Sequence, residues 1–533
     1  MAGRGGGNRN LVLAAMIFAV AMTFIDQTIV SIAVPEIQKE LGLTSTGVQW
    51  VVNAYLLSLA ALFAFGGRLA DTVGHRKMVI IGVVIFAGAS TMCGLTPKGS
   101  AAEAWMVTFR VLQGAGGALM YPAALAIVVN TFALRERGRA LAIFFGIAGG
   151  LTAVGPILGG YLTQWTWRAI FWVNVPVAIV ALVLISISRP TSLHQRGRID
   201  YRGAVMIAIG VALSVFGFQQ ANVWGWQDPA IGLCIAAGLA ILVVFYFVEL
   251  RTDQPLIQMR IFRIRAFFVE NVILFIIMIA FIPVFFFGSE YSQIALGKSS
   301  QSSGVLLLYF FLGFVIAAQI GGRMLDRVGA KRPVVIGCIL GAVGFYLWAT
   351  KATTLDFGSQ QLPIVIAGGG MGFVLGQANT DAVNRASRFS YGEATGITQT
   401  VRNYAASLGL AILGTILISV LRSRLTTSLL AQGLSPRRAA TEAAAISQQA
   451  QGSGGGNTGV GSIPLFIRHD FASATAVVLY VMAGVMAAGA VVAFLALRPG
   501  RQELADETGP GPADTSALGD PGGDPAGSEP HPS

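Results

Sequence analysis

Charge is scarce in this chain. Asp, Glu, Lys and Arg make up 11% of its 533 residues, where an ordinary soluble domain carries about 25%. A chain that is 54% hydrophobic, with a mean hydropathy of +0.68, cannot coat a water-soluble core with so few charges. That excludes a soluble globular fold and makes the bilayer the natural solvent. Cysteine is nearly absent. Cys93, Cys234 and Cys338 each fall in an apolar run without metal-ligand spacing, so neither a disulfide framework nor a metal site is indicated. Histidine is as rare: His75, His194, His469 and His531 fall in loops or the tail. No loop of the form G-x-x-x-x-G-K-[ST] occurs, so ATP does not drive this protein directly, and no enzyme signature or cofactor is implied. Alternation of apolar and polar residues over about ten positions is lacking as well, which argues against a β-barrel.

What is present is a series of long apolar runs. A bilayer core needs about 20 apolar residues per helix. Fourteen runs qualify, at about 11–33, 48–67, 78–96, 104–131, 140–163, 170–188, 203–221, 230–250, 267–288, 304–322, 333–350, 363–383, 396–421 and 471–497. The first reads as a retained helix rather than a cleaved signal, since it lacks a small-residue cleavage site. An all-α polytopic membrane protein with 14 transmembrane helices is therefore expected. The 66 glycines fit helices that pack closely in lipid.

Orientation follows from Lys and Arg. With an even helix count both termini share a side, and the segments on that side hold 24 Lys and Arg against 10 on the other. The positive-inside rule then makes the termini cytoplasmic. The same rule explains the net charge of +11 without nucleic acid, because the basic residues sit between apolar runs. Residues 1–10 form a short N-terminus. Residues 422–470 read as a Gly/Ser/Ala/Gln-rich outer loop, and 498–533, rich in Pro, Gly and acids, as a disordered tail.

An internal repeat orders the spans. Gly67 to Lys77 reads G-R-L-A-D-T-V-G-H-R-K, and Gly322 to Arg332 reads G-R-M-L-D-R-V-G-A-K-R. Gly67/Gly322, Arg68/Arg323, Asp71/Asp326, Val73/Val328 and Gly74/Gly329 are identical, and each copy lies between the second and third span of a six-span set. Spans 1–6 (residues 11–188) and 9–14 (266–497) are then two copies, with spans 7 and 8 and their basic linkers (189–265) inserted. Gly67 and Gly74 permit a tight turn and close contact. Asp71 can pair with Arg68, Arg76 or Lys77, a clasp made in one conformation and broken in another; a merely topogenic basic loop is the plainer reading.

A few polar residues stand inside apolar runs. Asp26 lies mid-span beside Phe24, Ile25 and Ile29. A carboxylate there is expensive, and taking up a proton relieves the cost. Proton coupling is one reading, a structural acid bonded to a neighbouring helix the other. Arg110, early in the fourth span, needs a carboxylate or carbonyl partner, Asp26 being one candidate, unless it snorkels to the surface. Gly155-Pro156-x-x-Gly159-Gly160 implies a kinked, closely packed fifth helix. Glu270, Glu290, Asn379, Asp381 and Arg402 are further candidates, each of which can simply face water. Tyr55, Tyr121, Phe285 and Phe286 can line a pocket or pack as core.

With these residues in place, the chain resembles the major facilitator superfamily, and within it the fourteen-helix drug/proton antiporter branch of the EmrB/QacA type. The Gly67–Lys77 segment resembles the superfamily's signature loop. F-I-D-Q-T-I-V-S-I-A-V-P (Phe24 to Pro35), W-V-V-N-A-Y-L-L (Trp50 to Leu57), R-V-L-Q-G-A-G-G-A (Arg110 to Ala118), G-P-I-L-G-G (Gly155 to Gly160), W-R-A-I-F-W-V-N-V-P (Trp167 to Pro176) and G-E-A-T-G-I-T-Q-T-V-R-N (Gly392 to Asn403) are similar to that branch, in the same order. Leu151 stands where the antiporter motif usually has Gly, and Ser31 where Asn is usual. The resemblance implies a monomeric inner-membrane exporter of small lipophilic or cationic drugs, exchanging them for protons by alternating access. It places Arg110 in proton transfer and the fifth helix in sealing the inward path. A dedicated exporter of one endogenous metabolite or antibiotic stays open, in keeping with Ala/Gly/Arg-rich usage like that of high-GC actinobacteria. So does a non-transporting membrane sensor, although no soluble signalling domain is evident.

Overall fold

A computed structural model describes residues 9–132, 134–190, 200–385, 391–450, 463–498 and 500. Sixteen α-helices occur among them, and no strand. The first half contains α1 (Arg9–Leu41), α2 (Ser45–Val73), α3 (His75–Gly94), α4 (Ala102–Thr131), α5 (Leu134–Trp165), the single turn α6 (Ala169–Trp172) and α7 (Asn174–Ser188). The inserted pair is α8 (Tyr201–Trp224) and α9 (Pro229–Glu249). The second half contains α10 (Arg265–Ile294), α11 (Ser300–Val328), α12 (Lys331–Ala352), α13 (Gln361–Arg385), α14 (Tyr391–Ala431), α15 (Pro436–Ala450) and α16 (Leu465–Ala496).

Local chemistry starts several of these helices. The Thr44 hydroxyl accepts from Gly47 N at 2.9 Å, and Asp200 does the same for Gly203 N at 2.9 Å. Asp228 caps α9 through Ala230 N, with Pro229 in the first turn where its missing N–H costs nothing. At a rise of 1.5 Å per residue a 20-residue helix spans about 30 Å, the thickness of the hydrocarbon core. Thirteen stretches of the described helices are long and apolar enough to cross a membrane. The remaining expected span, 140–163, falls in the 32-residue α5. The sixth span is α6 and α7 together, broken at Val173. This is a multi-pass membrane protein, all-α as expected.

The segment read as a loop over 422–470 is largely helical. Helix α14 continues to Ala431 and α15 adds 15 residues packed against it, with Ala439 and Ala443 buried. The alanine richness that looked loop-like is what favours helix there, while its polarity keeps it from being a span. The region expected as a disordered tail lies almost wholly outside the described residues.

The two halves pack alike. Helix α2 lies along α4 as α11 lies along α13; α3 on α4 matches α12 on α13; α1 on α5 matches α10 on α14. Between the halves, α2 meets α14, α5 meets α11 and α1 meets α10, contacts that interchange when the halves are exchanged. The repeat loops carry the same turn. Gly74 ends α2 with φ 111° and Gly329 ends α11 with φ 80°, in the left-handed region that glycine enters without strain. Helices α8 and α9 break the symmetry. They pair with each other, and α8 lies across α2 and α14, the seam between halves. We call the end where α1 begins and α16 finishes the terminal face, and the opposite end the far face.

Glycine sets the closeness of several contacts, though not at every expected position. A Cβ on Gly66 would overlap the carbonyl of Ala118, and one on Gly368 that of Phe310. Gly67 meets only Pro122, at an ordinary 3.6 Å, and Gly322 meets nothing within 4 Å. The repeat's first glycine is thus not a contact residue, and its neighbour Gly66 is. Gly368→Ala should lower the thermal stability of the purified protein by about 1–3 kcal/mol, whereas Gly322→Ala should stay within about 0.5 kcal/mol. Equal melting temperatures for the two variants would contradict the close backbone approach.

Candidate functional site

Helix α1 positions Asp26 midway along its length, and α4 positions Arg110 one-third of the way along its own. The two side chains meet. Arg110 Nη1 donates to Asp26 Oδ2 at 2.5 Å, with exposures of 1% and 0%. Arg110 does not snorkel. Its Nη1 also donates to Gln113 Oε1 at 2.7 Å, its Nε to the Val51 carbonyl of α2 at 2.7 Å, and its guanidinium lies 4.5 Å from the centre of the Tyr55 ring. Gln113 Nε2 donates to the second carboxylate oxygen, Asp26 Oδ1, at 2.8 Å. It also reaches Ser90 Oγ of α3, which accepts from Asn174 of α7 and donates to the Phe171 carbonyl of α6. The ion pair is therefore satisfied on both sides, directly by α2 and α4 and, through Gln113, by α3, α6 and α7, as a buried charge requires.

Helix α5 backs this network. Gly155 faces α1 so closely that a Cβ would overlap Thr28 Oγ1 and come within 3.0 Å of the Ile25 carbonyl. A Cβ on Gly159 would lie 2.9 Å from the Ile29 carbonyl. The small residues expected of the fifth span thus ride on the turns of α1 that bear Asp26. Gly160 is buried, and position 156 falls inside the unbroken helix α5.

On their other side the same turns border a cleft between the halves. Thr23, Phe24 and Gln27 of α1 form one wall, with Phe63 of α2 and Tyr121 of α4 beside them. Met278 of α10 and Gln399, Arg402 and Asn403 of α14 form the facing wall. The rings of Phe24 and Phe63 pack on Tyr121 at 5.6 and 5.2 Å between centres. Gln399 Nε2 donates across the cleft to the Tyr121 hydroxyl at 3.0 Å. The cleft is narrow in this conformation, about 10 Å³ of free space. Towards the far face the halves touch directly: Gln293 Nε2 donates to the Ile32 carbonyl at 3.3 Å, and Ser407 Oγ donates to Asn53 Oδ1. Asn53 also donates to Gln219 of α8 at 2.6 Å, so one residue joins both halves and the inserted helices.

The other expected residues are scattered. Glu290 is fully buried towards the far-face end of α10, with neither oxygen hydrogen-bonded among the described residues. Asp381 and Glu270 come together instead at the terminal face of the second half, lining a cavity of about 310 Å³ with Arg265 and Arg498. The partner the structure gives Asp71 is one the sequence reading had not offered, His75. Asp71 accepts from His75 Nε2 at 3.1 Å, four residues on, where the turn at Gly74 brings the start of α3 beneath the end of α2. Its repeat partner Asp326, like Arg323, is exposed. Phe285 and Phe286 are core, Phe285 stacking on Phe311 at 5.1 Å. Sequence reasoning missed Gln113, Ser90, Asn174 and Asn53 as site residues. The available signal was the one that singled out Asp26, namely a polar side chain inside an apolar run.

The Trp167–Arg168 pair forms a separate clasp at the far face. Trp167 Nε1 and Arg168 Nη2 donate to the two Glu40 oxygens at 2.7 and 3.0 Å. Arg168 Nη1 also donates to the carbonyls of Gly94 and Thr96. The end of α1, the α3–α4 turn and the α5–α6 turn are thereby tied together.

Residues 16–410 match the family model described as Major Facilitator Superfamily. The chain is 33% identical over 517 residues to the tetracenomycin C resistance and export protein of Streptomyces glaucescens, covering 95% of each. It is 30% identical to the multidrug transporter protein MdtP of Bacillus subtilis, covering 77% of this chain and 75% of that one. It is also 30% identical to the puromycin resistance protein of Streptomyces alboniger, covering 76% and 81%. Among solved structures, a bacterial homologue of the human lysosomal transporter Spinster, in an inward-facing and unoccupied conformation, aligns with a TM-score of 0.60 at 16% identity. That alignment covers 93% of this chain and 98% of the other. Arg110→Gln leaves the Asp26 charge buried without its partner and should cost about 3–5 kcal/mol. Adding Asp26→Asn should restore part of that loss in thermal melts; a double variant no more stable than Arg110→Gln alone would contradict the pairing.

Proposed function

The chain belongs to the Major Facilitator Superfamily, and on that premise we propose that it is a secondary exporter of small lipophilic drugs or antibiotics, driven by proton antiport through alternating access. The observation that carries the reading is the placement of Asp26. Its carboxylate is paired with Arg110 inside the first half, and the turn that bears it also forms a wall of the cleft between the halves. Protonating Asp26 removes the ion pair and frees the guanidinium to rely on Gln113 and the Val51 carbonyl alone. The packing of α1 on α4 then changes, and with it the wall of the cleft. The rigid α1–α5 contact at Gly155 and Gly159 transmits that change without opening a leak. Relatives named for antibiotic export and multidrug resistance support the substrate class.

In this reading the protein lies in the cell membrane with both termini cytoplasmic and works as a single chain. The two six-helix halves rock about the cleft while α8 and α9 remain docked on the α2–α14 seam. The membrane potential supplies about 2.3 kcal/mol per charge per 100 mV, so each proton supports well over tenfold accumulation. A dedicated self-resistance exporter is the second reading. The match to the tetracenomycin C export protein along 95% of both chains favours it.

Everted vesicles energised with a proton gradient and given a compound panel from outside test the proposal. Uptake should collapse on adding an uncoupler, and continued uptake would refute proton coupling. Asp26→Asn should reduce uptake at least a hundredfold while protein still reaches the membrane. Wild-type transport by that variant would remove Asp26 from the mechanism. Uptake of many unrelated compounds favours a multidrug pump, and uptake of one chemical class favours the dedicated exporter.

A further inference from the structure

The cleft between the halves carries a charge of one sign. Among its described lining residues Arg402 alone is charged, and no carboxylate accompanies it. Arg402 is partly buried on α14, and among the described residues its Nε has no hydrogen-bond partner. A guanidinium stays protonated in proteins, so the cleft is cationic at all working pH values.

The acids described nearby do not cancel this charge. Asp26 is spent on Arg110 behind the wall of α1. Glu270 faces the separate cavity with Asp381. Glu290 lies far along the bundle. Helices α10 and α14 run parallel, and Gly409 packs on Ile279. From that level point, at 1.5 Å per residue, Arg402 and Glu290 diverge by roughly 27 Å.

The rest of the lining matches a flat, acidic guest. Phe24, Phe63 and Tyr121 supply aromatic faces and edges. Tyr121 accepts from Gln399 and keeps its own hydroxyl proton to donate. Gln27 adds an amide, while Asn403 Nδ2 already donates to the Gln399 carbonyl. Donors therefore converge with one fixed positive charge beside stacking surfaces. This is the complement of a planar phenolate, enolate or aromatic carboxylate. A cationic guest meets like charge in a poorly solvated site instead.

Building on the exporter reading, we propose that Arg402 makes the cleft selective for planar aromatic anions over cations, and that it is the residue setting the charge preference of transport. Charge movement gives the proposal a second signature. Exchange of a monoanion leaving for a proton entering moves charge in one direction twice. A potential alone then accelerates it, whereas one-for-one exchange of a cation is indifferent to potential.

Two dyes on the same xanthene frame provide the test: fluorescein, an anion, and rhodamine 123, a cation. In everted vesicles the wild type should accumulate fluorescein at least tenfold faster than rhodamine 123, and a potassium–valinomycin potential without a pH gradient should accelerate that uptake. Arg402→Gln should lower fluorescein uptake at least tenfold and raise rhodamine 123 uptake. Arg402→Lys, which keeps the charge, should retain most of the preference. Faster rhodamine 123 uptake by the wild type overturns the proposal, as does an Arg402→Gln variant that loses both dyes equally. Should Arg402→Gln fail to reach the membrane, the wild-type dye preference and the loss of fluorescein uptake in Tyr121→Phe decide the matter. Absence of uncoupler-sensitive uptake for every compound in the panel defeats the exporter reading itself, an outcome distinct from uptake with the opposite charge preference.

Discussion

An ion pair between Asp26 and Arg110 sits where the bundle can least tolerate an unsatisfied charge. Replacing a buried pair by apolar residues is often neutral or stabilising, so such a pair is weak evidence of a role in stability alone. Here the surroundings are built to hold it. Both carboxylate oxygens are taken, by Arg110 and Gln113. The guanidinium is shared between the carboxylate, an amide, a backbone carbonyl and an aromatic face. A shift of α1 against α4 at this level has to rearrange this network, and the proposed cycle uses it as the element with two discrete states.

The near-symmetry of the halves sharpens the point. Helix pairs, loop glycines and inter-half contacts all recur under exchange, but the described residues of the second half contain no counterpart of the Asp26–Arg110 network. Its acids sit elsewhere, Glu290 towards the far face and Glu270 with Asp381 at the terminal face. The inserted helices add a second asymmetry. Helix α8 contacts α2 through Asn53 and α14 through Tyr404 and Thr415. It thus bridges the seam between the halves.

Much of this arrangement was legible in the chain. Span count, repeat, and the isolation of Asp26 and Arg110 follow from the cost of polarity in hydrocarbon, which acts on each residue separately. What was not legible depends on the azimuth at which a side chain leaves its helix. Asp71 lies four residues from His75 and three from Arg68, and spacing alone does not choose between them; the turn at Gly74 does. Phe285 and Tyr121 are both aromatic residues in apolar spans, yet one packs in the core of the second half and the other borders the cleft. Likewise the stretch 436–450 is too polar for a span yet rich in alanine, so it forms a helix without the character of a span.

Separation of the ion pair from the cleft constrains how coupling can work in the proposed cycle. Substrate and proton do not compete for one carboxylate, because Asp26 points away from the cleft that Thr23 and Gln27 line. Coupling must pass through the backbone of α1, which both sites share, and through the halves' mutual contacts. Those contacts include few polar links: Gln293 to Ile32, Gln399 to Tyr121, and Ser407 to Asn53. Each contributes about 1 kcal/mol net. A proton crossing 100 mV delivers about 2.3 kcal/mol, while reversing a 1:99 equilibrium takes about 5.5 kcal/mol. The three direct links named, about 3 kcal/mol together, are of the size that one or two protons deliver. The polar seam is therefore in keeping with the mechanism, just as the densely bonded Asp26–Arg110 network is.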